Sequence, residues 1–561
     1  MSQSRTNILG AVFGIGMNIN SIIGSGIVTT PGMIWNSVKS PGIVLLLWFI
    51  GGIISMSGSL VYSELGVKHK DSGGELKYLQ AAYPNPKLLI SYLFSFMYIL
   101  VIRPGITCAI LHSAAKYFWY MINGSQNDIK IDMDEWNFPF SPFCSVKFIA
   151  IAILFIITAY HMINNRLANV INQTLSVIKL ITYSIIAIAG IFRLILDWEI
   201  SRTNWQKPLS VNKDFTAYPS AILLIMFSYN GWNNLNYSLD EFRSVENKFL
   251  VSNGISVVIV TFLYLLINIA FISVIPEDKI RLQDRRTVQI IAVPFFEKLF
   301  DNNVILVKIF EFLIVLSLIG TAASNIWSGS RVIVSAAKSG FFPKYLHQLK
   351  IWHQYCNTPI NALLAQFIWC MLFILFIGSS FVITSFELYS SFAMYSHWIF
   401  YLAIGIGLFV IRFKRYKDEN ADPITFKVSF PIAGIFILAG LFIIICSFFV
   451  DVRCPTSTSP DPVVCNQIER IQKMVPMFIS YGFLFIGLMF WYYYWWETNK
   501  NDVTKEKSTE CKEVEEVDVE VEREAVMTEE AIVPFDNLDD DDEIDKDYEG
   551  SENASEIFAN F

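Results

Sequence analysis

Apolar windows of about 20 residues, long enough to cross a bilayer as a helix, recur along the chain as far as residue 496. In hydrocarbon every backbone N–H and C=O must be satisfied within its own segment, so each window has to be helical. About twelve spans are read, near residues 8–36, 42–64, 88–118, 147–163, 169–195, 217–240, 251–275, 302–328, 359–378, 383–411, 431–450 and 474–496. Only 16% of residues are charged, against about a quarter in a soluble globular chain. A few polar residues lead directly into the first span, so no cleavable signal peptide is expected. The expected fold class is an all-α membrane protein of about twelve transmembrane helices.

The formal charge of −8 hides two regions of opposite sign. From Lys500 onward there are 23 acidic and 6 basic side chains, which leaves +9 on residues 1–499. A segment such as Asp539-Asp540-Asp541-Asp542-Glu543 has too little apolar content to fold. The reading is a transmembrane domain over 1–499 and an acidic, disordered cytoplasmic tail over 500–561.

An even span count puts both termini on one side. Lys68, Lys70, Lys77 and Lys87, then Arg331, Lys338 and Lys344, then Arg412, Lys414, Arg415 and Lys417 fall in loops on that side. The positive-inside bias makes it the cytoplasm, although the loops near 196–216 and 276–301 are also basic. Of eight cysteines, Cys108, Cys370 and Cys446 fall within spans and read as packing residues. Cys454 and Cys465 share an outer loop, where a disulfide is expected. Cys144 has no obvious partner in the chain. Cys356 and Cys511 face the reducing side and are expected to be free. Asn123-Gly124-Ser125 is the usable glycosylation sequon.

Two spans carry breaks. In the first, Gly24-Ser25-Gly26 interrupts an apolar run, and glycine weakens a helix there. Free N–H groups at such a break can meet the carboxylate of a small zwitterion. Taken alone, the glycines also fit a small-residue packing face. In the sixth span, Phe227-Ser228-Tyr229-Asn230-Gly231-Trp232-Asn233-Asn234-Leu235-Asn236 is polar with a glycine at its centre. Spans 1 and 6 would open two five-helix units. Matching interruptions in two halves point to a central site in an inverted-repeat transporter.

Gly24-Ser25-Gly26-Ile27 with Pro31-Gly32, Tyr62-Ser63-Glu64-Leu65-Gly66, Ser72-Gly73-Gly74-Glu75, Gly231-Trp232-Asn233, and Ser330-Arg331 followed by Gly340-Phe341-Phe342-Pro343 resemble the amino acid–polyamine–organocation superfamily. Arg103-Pro104, and Leu235-Asn236 ahead of Glu241, look closest to its L-type amino acid transporters and the related fungal methionine-permease branch. The resemblance covers roughly 8–450. It implies a five-plus-five inverted-repeat core with discontinuous helices 1 and 6, two extra helices, and alternating access for an L-amino acid. It further implies that backbone N–H groups of Ile23, Gly24, Ser25, Gly26 and Ile27 hold the substrate carboxylate. The carbonyls of Phe227, Ser228, Tyr229 and Asn230 would face its ammonium. Phe227 would close the pocket from outside and Trp232 would wall its side-chain end. The L-type relatives carry glycine where this chain has Asn230, so the amide adds a polar contact or narrows the pocket, against bulky aromatic substrates.

Lys179 is a single cation within span 5, and an ionisable group at that depth is a functional candidate. Proton coupling is one reading of it, and a tie from span 5 to carbonyls of span 1 is the other. In the resembled fold this position lies where sodium-coupled relatives bind the ion, which implies sodium independence. Arg103 reads as structural, Glu311 and His397 as isolated packing residues. Tyr389, Ser391 and Tyr395 lie on span 10, which closes the pocket in the resembled fold. No metal-ligand cluster, phosphate loop or nucleophile–base arrangement stands out, so neither enzyme activity, a cofactor nor a nucleic-acid partner is expected.

The expected function is sodium-independent uptake of neutral L-amino acids, methionine or a similar aliphatic one first, at the plasma membrane, with proton coupling as one reading of its drive. The alternatives are an obligatory exchanger and a non-transporting nutrient receptor. Expected partners are the amino acid substrate, the lipid bilayer and, through Lys505, Lys507, Lys512 and the acidic run of the tail, ubiquitin and adaptor proteins.

Overall fold

The computed structural model describes residues 11–123, 145–196, 198–212, 217–241, 249–277, 290–377, 384–416, 426–446 and 474–493, with a few isolated positions. The chain divides after Tyr492, and the account below concerns the first unit. The expected disulfide, Cys144, Cys511, the rest of the sequon after Asn123 and the tail from Lys500 lie outside the described residues. Cys108, Cys356, Cys370 and Cys446 are free thiols, Cys108 and Cys370 being buried.

Among the described residues the architecture is helical. The helices are α1 (Ala11–Ile22), α2 (Ser25–Val38), α3 (Pro41–Lys68), α4 (Glu75–Ala82), α5 (Leu89–Asn123), α6 (Ser145–Ile163), α7 (Asn165–Leu196), α8 (Trp198–Asn204), α9 (Ala217–Ser228), α10 (Leu250–Val274), α11 (Ala292–Leu299), α12 (Val304–Lys338), α13 (Ile360–Phe376), α14 (Ser385–Tyr416), α15 (Phe430–Cys446) and α16 (Met474–Tyr493). Eight are long and apolar enough to cross a membrane, and α1 with α2 forms a ninth span bent by 42°. The shorter apolar helices α9, α13 and α15 complete the expected twelve.

The helices bury one face and expose another, as hydrocarbon on the outside requires. On α7, Asn172, Ser176, Lys179 and Tyr183 recur at helical spacing and are buried, while Val170, Val177, Ile181 and Ile188 are exposed on the opposite side. The lysine and the polar residues in register with it thus look inward.

The order of elements repeats. A broken span opens each half, and a short helix, α4 or α11, follows the second span of each. Elements at equivalent places pack together: α2 against α9, α3 against α10, and α5 against α12. A two-fold relation between five-span units produces such self-pairing, and it brings the two broken spans face to face at the centre.

Candidate functional site

The first break falls at Ile23 and Gly24. Ile23 still donates its N–H to Ile19 O at 3.0 Å, and Gly24, at φ −134° and ψ −147°, leaves the helical region. Helix α2 then starts at Ser25 without a side-chain cap, so the N–H groups of its first turn have no intrahelical acceptor. In the second broken span, α9 stops at Ser228. A turn through Gly231 leads into a short 3₁₀ segment, Asn234–Glu241.

Two glycines allow these breaks to touch. A Cβ on Gly26 would collide with the Cα, Cβ and Oγ of Ser228, and one on Gly231 would sit 2.8 Å from the carbonyl of Ser21. Gly231 also has φ +117°, where side chains are strained. Gly26 therefore serves the approach of α2 to α9, and a side chain there would meet Ser228.

Both breaks line one small cavity, with walls from Ser21, Ile22, Gly24, Ser25 and Gly26, from Phe227 and Asn230, from Ile106 and Ile110 on α5, and from Thr321 and Asn325 on α12. The uncapped N-terminus of α2 puts partial positive charge at this cavity and the C-terminal end of α9 puts partial negative charge there. A small zwitterion matches that pair of ends.

The lining includes Gly24, Ser25, Gly26, Phe227 and Asn230 of the expected site. Ile23, Ile27, Ser228 and Tyr229 lie behind it, within the breaks, and are almost wholly buried. Of the carbonyls expected to face an ammonium, Phe227 O already accepts from Asn230 N at 3.1 Å, and Ser228 O lies 2.9 Å from Tyr264 Oη. Phe227 packs edge-on against Phe386, ring centroids 5.3 Å apart. Trp232 stands elsewhere, in an aromatic cluster with Tyr62, Tyr401 and Phe436. The cavity lining does not include Tyr389, Ser391 or Tyr395; the Tyr389 hydroxyl bonds to the carbonyls of Phe373 and Ile377.

Lys179 is fully buried. Its Nζ donates to Asn20 O at 2.8 Å and to Thr321 Oγ1 at 2.6 Å, and Thr321 Oγ1 donates to Ile23 O at 2.7 Å. The lysine thus supports the last turn of α1, where the break leaves carbonyls without helical donors. Tyr264 on α10 does the same for both breaks, its hydroxyl lying 3.0 Å from Ile22 O as well as 2.9 Å from Ser228 O.

A buried polar cluster holds the segment after the second break. Glu75 Oε1 accepts from Asn233 Nδ2 at 2.6 Å, Tyr237 Oη at 3.0 Å and Tyr62 Oη at 3.1 Å. Arg103 donates to Asn234 Oδ1 at 2.9 Å and also bonds Asn325 Oδ1 and the Tyr98 hydroxyl. Adjacent asparagines are therefore held by opposite charges. His397 is not isolated, for its Nε2 lies 3.6 Å from Glu75 Oε1. Among the described residues no group of three or more His, Cys, Asp or Glu side chains could hold a metal ion.

Sequence reasoning missed Thr321, Asn325, Tyr264, Ile106 and Ile110. A signal existed for two of them: Ser317, Thr321, Asn325 and Ser328 form a polar stripe at helical spacing within an apolar span. The isoleucines carried none, since apolar residues in a span are the rule.

A family model described as amino acid permease matches residues 11–465. The chain is similar to b(0,+)-type amino acid transporter 1 of Mus musculus, 28% identical over 490 residues that cover 87% of this chain and 89% of the relative. It is also similar to large neutral amino acids transporter small subunit 2, at 27% identity in Mus musculus, covering 82% of this chain and 77% of the relative. The human form of that protein is 26% identical over the same shares.

Proposed function

This chain belongs to the amino acid permease family and is a multi-pass membrane transporter of amino acids, and from that premise we propose that it carries neutral L-amino acids across the plasma membrane by alternating access. The observation that carries the reading is the pair of helix ends at one cavity, an uncapped N-terminus at Gly24 and a C-terminus at Ser228. Their opposite partial charges suit a carboxylate and an ammonium on one α-carbon. The substrate carboxylate would take backbone N–H groups at Ser25 and Gly26, within the stretch Ile23–Ile27. The ammonium would lie at the end of α9, within Phe227–Asn230.

A methionine-like or other aliphatic side chain fits the rest. The cavity is small. Its wall is apolar at Ile22, Ile106, Ile110 and Phe227. One of the relatives is named for large neutral amino acids, which agrees with an uncharged side chain. Trp232 would act on the pocket from behind, through the aromatic cluster. Lys179 would supply a cation beside the first break, making sodium unnecessary, and is the candidate for proton coupling.

Purified protein in proteoliposomes tests this with a panel of labelled amino acids. Methionine and leucine are expected to enter without sodium. Saturable binding without flux would mark a receptor, and flux only against internal amino acid would mark an obligatory exchanger. Flux of cationic or acidic amino acids alone would overturn the assignment of a neutral substrate.

A further inference from the structure

Cations on the basic side of the membrane domain differ in what answers their charge. Arg412 is paired with Glu64, and Lys414 Nζ donates to Ala82 O at 3.0 Å. Arg166, in the first turn of α7, and Lys350, at the end of the 3₁₀ segment Lys344–Lys350, are exposed. No ion pair among the described residues includes either of them. Their own elements offer no carboxylate, since residues 145–196 and 312–386 contain neither Asp nor Glu.

The two stand at one corner of the fold. Asn165 N donates to Cys356 O at 3.3 Å, and Thr358 Oγ1 donates to Met162 O at 3.0 Å. These bonds tie the turn between α6 and α7 to a hairpin closed by His353 and Thr358. Behind it, Arg331 Cζ lies 3.7 Å from the ring centroid of Trp327 and 5.7 Å from that of Trp352, and its guanidinium bonds Asn165 Oδ1 at 3.2 Å. Arg166 follows Asn165 directly and Lys350 precedes Trp352 by two residues, so a buried guanidinium fixes the ground from which both project.

The corner also marks where hydrocarbon gives way to headgroups. The exposed apolar faces of α6 and α7 run down to Ile163, 61% exposed, and to Leu167. Tyr355, at the tip of the hairpin, is 92% exposed. Tyrosine and long cationic side chains beside an apolar face suit the membrane interface, with the ring or the stem in the apolar layer and the polar tip in water.

We propose that this corner binds an anionic phospholipid of the cytoplasmic leaflet, its phosphate held between Arg166 and Lys350 and its acyl chains laid on Ile163 and Leu167. Both connections fall on the side whose basic loops assign it to the cytoplasm, where the leaflet is negatively charged. A guanidinium grips phosphate oxygens in a fork and an ammonium adds a point charge. A zwitterionic headgroup carries an ammonium of its own, which two cations without a carboxylate between them repel. The lipid would bridge α7 and the connection that follows α12, the two helices whose Lys179 and Thr321 meet at 2.6 Å beside the first break.

The test is native mass spectrometry of the full chain in detergent, offered equal amounts of phosphatidylglycerol and phosphatidylcholine with the same acyl chains. Wild type is expected to retain one phosphatidylglycerol in preference by about ten- to thirtyfold, the range that two basic residues at a membrane surface supply. The double variant Arg166→Gln, Lys350→Gln is expected to retain the two lipids about equally. Both positions are exposed, so the variant is expected to melt at the wild-type temperature without added lipid, and phosphatidylglycerol should raise that temperature in wild type alone. Lys68→Gln with Lys70→Gln removes as much charge from another corner and is expected to keep the preference. Equal retention of both lipids by wild type would overturn the proposal, as would a preference that survives in the Arg166, Lys350 variant. Equal loss in the Lys68, Lys70 variant would reduce it to diffuse charge and overturn the site. A preference that appears only when the chain ends at Asn499 would give the corner to the acidic tail in place of a lipid.

Discussion

Individual residues near the cavity are held to their types by different causes. Gly231 combines φ +117° with a Cβ path blocked by the Ser21 carbonyl. Gly231→Ala is expected to cost roughly 1–3 kcal/mol in backbone strain before the collision is counted, with a lower melting temperature in detergent and loss of flux. An unchanged melting temperature would show that the two breaks do not pack as described. Lys179 is different, because its neighbours are oxygens of α1 and α12 and its charge is what they solvate. Lys179→Ala strips the Asn20 carbonyl of its donor, and each lost bond to a charged group is worth about 1.5–3 kcal/mol. If the lysine releases its proton during the cycle, wild-type uptake follows an imposed pH gradient and the variant does not. Wild-type uptake indifferent to pH and sodium gradients but dependent on internal amino acid would assign Lys179 to the tie alone.

At the scale of elements, the second broken span is fixed at both ends of its turn. Before it, the Ser228 carbonyl meets Tyr264; after it, Asn233 and Asn234 are gripped by Glu75 and Arg103. Arg103 links the end of the break to α12 through Asn325, a residue that lines the cavity. A guanidinium can serve three partners in one plane, and a lysine ammonium cannot reproduce that fork. Arg103→Lys is therefore expected to keep the charge yet lower the melting temperature and reduce flux at saturating substrate, since what it loses is placement of the break. Wild-type flux in this variant would remove Arg103 from the supporting framework. Helices α3 and α14 are joined separately, at one end, where Arg412 meets Glu64 at 2.8 and 2.5 Å.

For the whole molecule, the apolar exterior of α7 and the paired halves describe a body built for hydrocarbon, and the acidic segment from Lys500 lies outside the described residues. We propose that this tail is dispensable for transport and acts in turnover, through ubiquitin on its lysines and a basic adaptor on its acidic run. A chain ending at Asn499 is expected to show unchanged initial flux in proteoliposomes, because so charged a composition offers little apolar side chain to offset the entropy of ordering it. In cells with abundant substrate it should remain longer at the surface. Internalisation at the wild-type rate would leave the tail without that role.

Hydrophobic length and local polarity are properties of the sequence itself, and they were enough for the twelve spans, for both breaks and for the inward placement of Lys179. A break is legible because glycine and polar residues are costly in an apolar helix unless something compensates them. What compensates them was not legible. Thr321, Tyr264, Glu75 and Arg103 reach the breaks from distant spans, and only the packing of those spans decides which carbonyl each one meets. The same holds for Trp232, whose place in the sequence beside Gly231 gives no hint that the turn swings its ring away from the cavity and onto Tyr62. His397 likewise looked solitary along α14 because its carboxylate partner lies on α4. Sequence determined where the chain must bend; the tertiary structure decided which groups meet at the bends, since hydrogen bonds between spans depend on how whole helices pack.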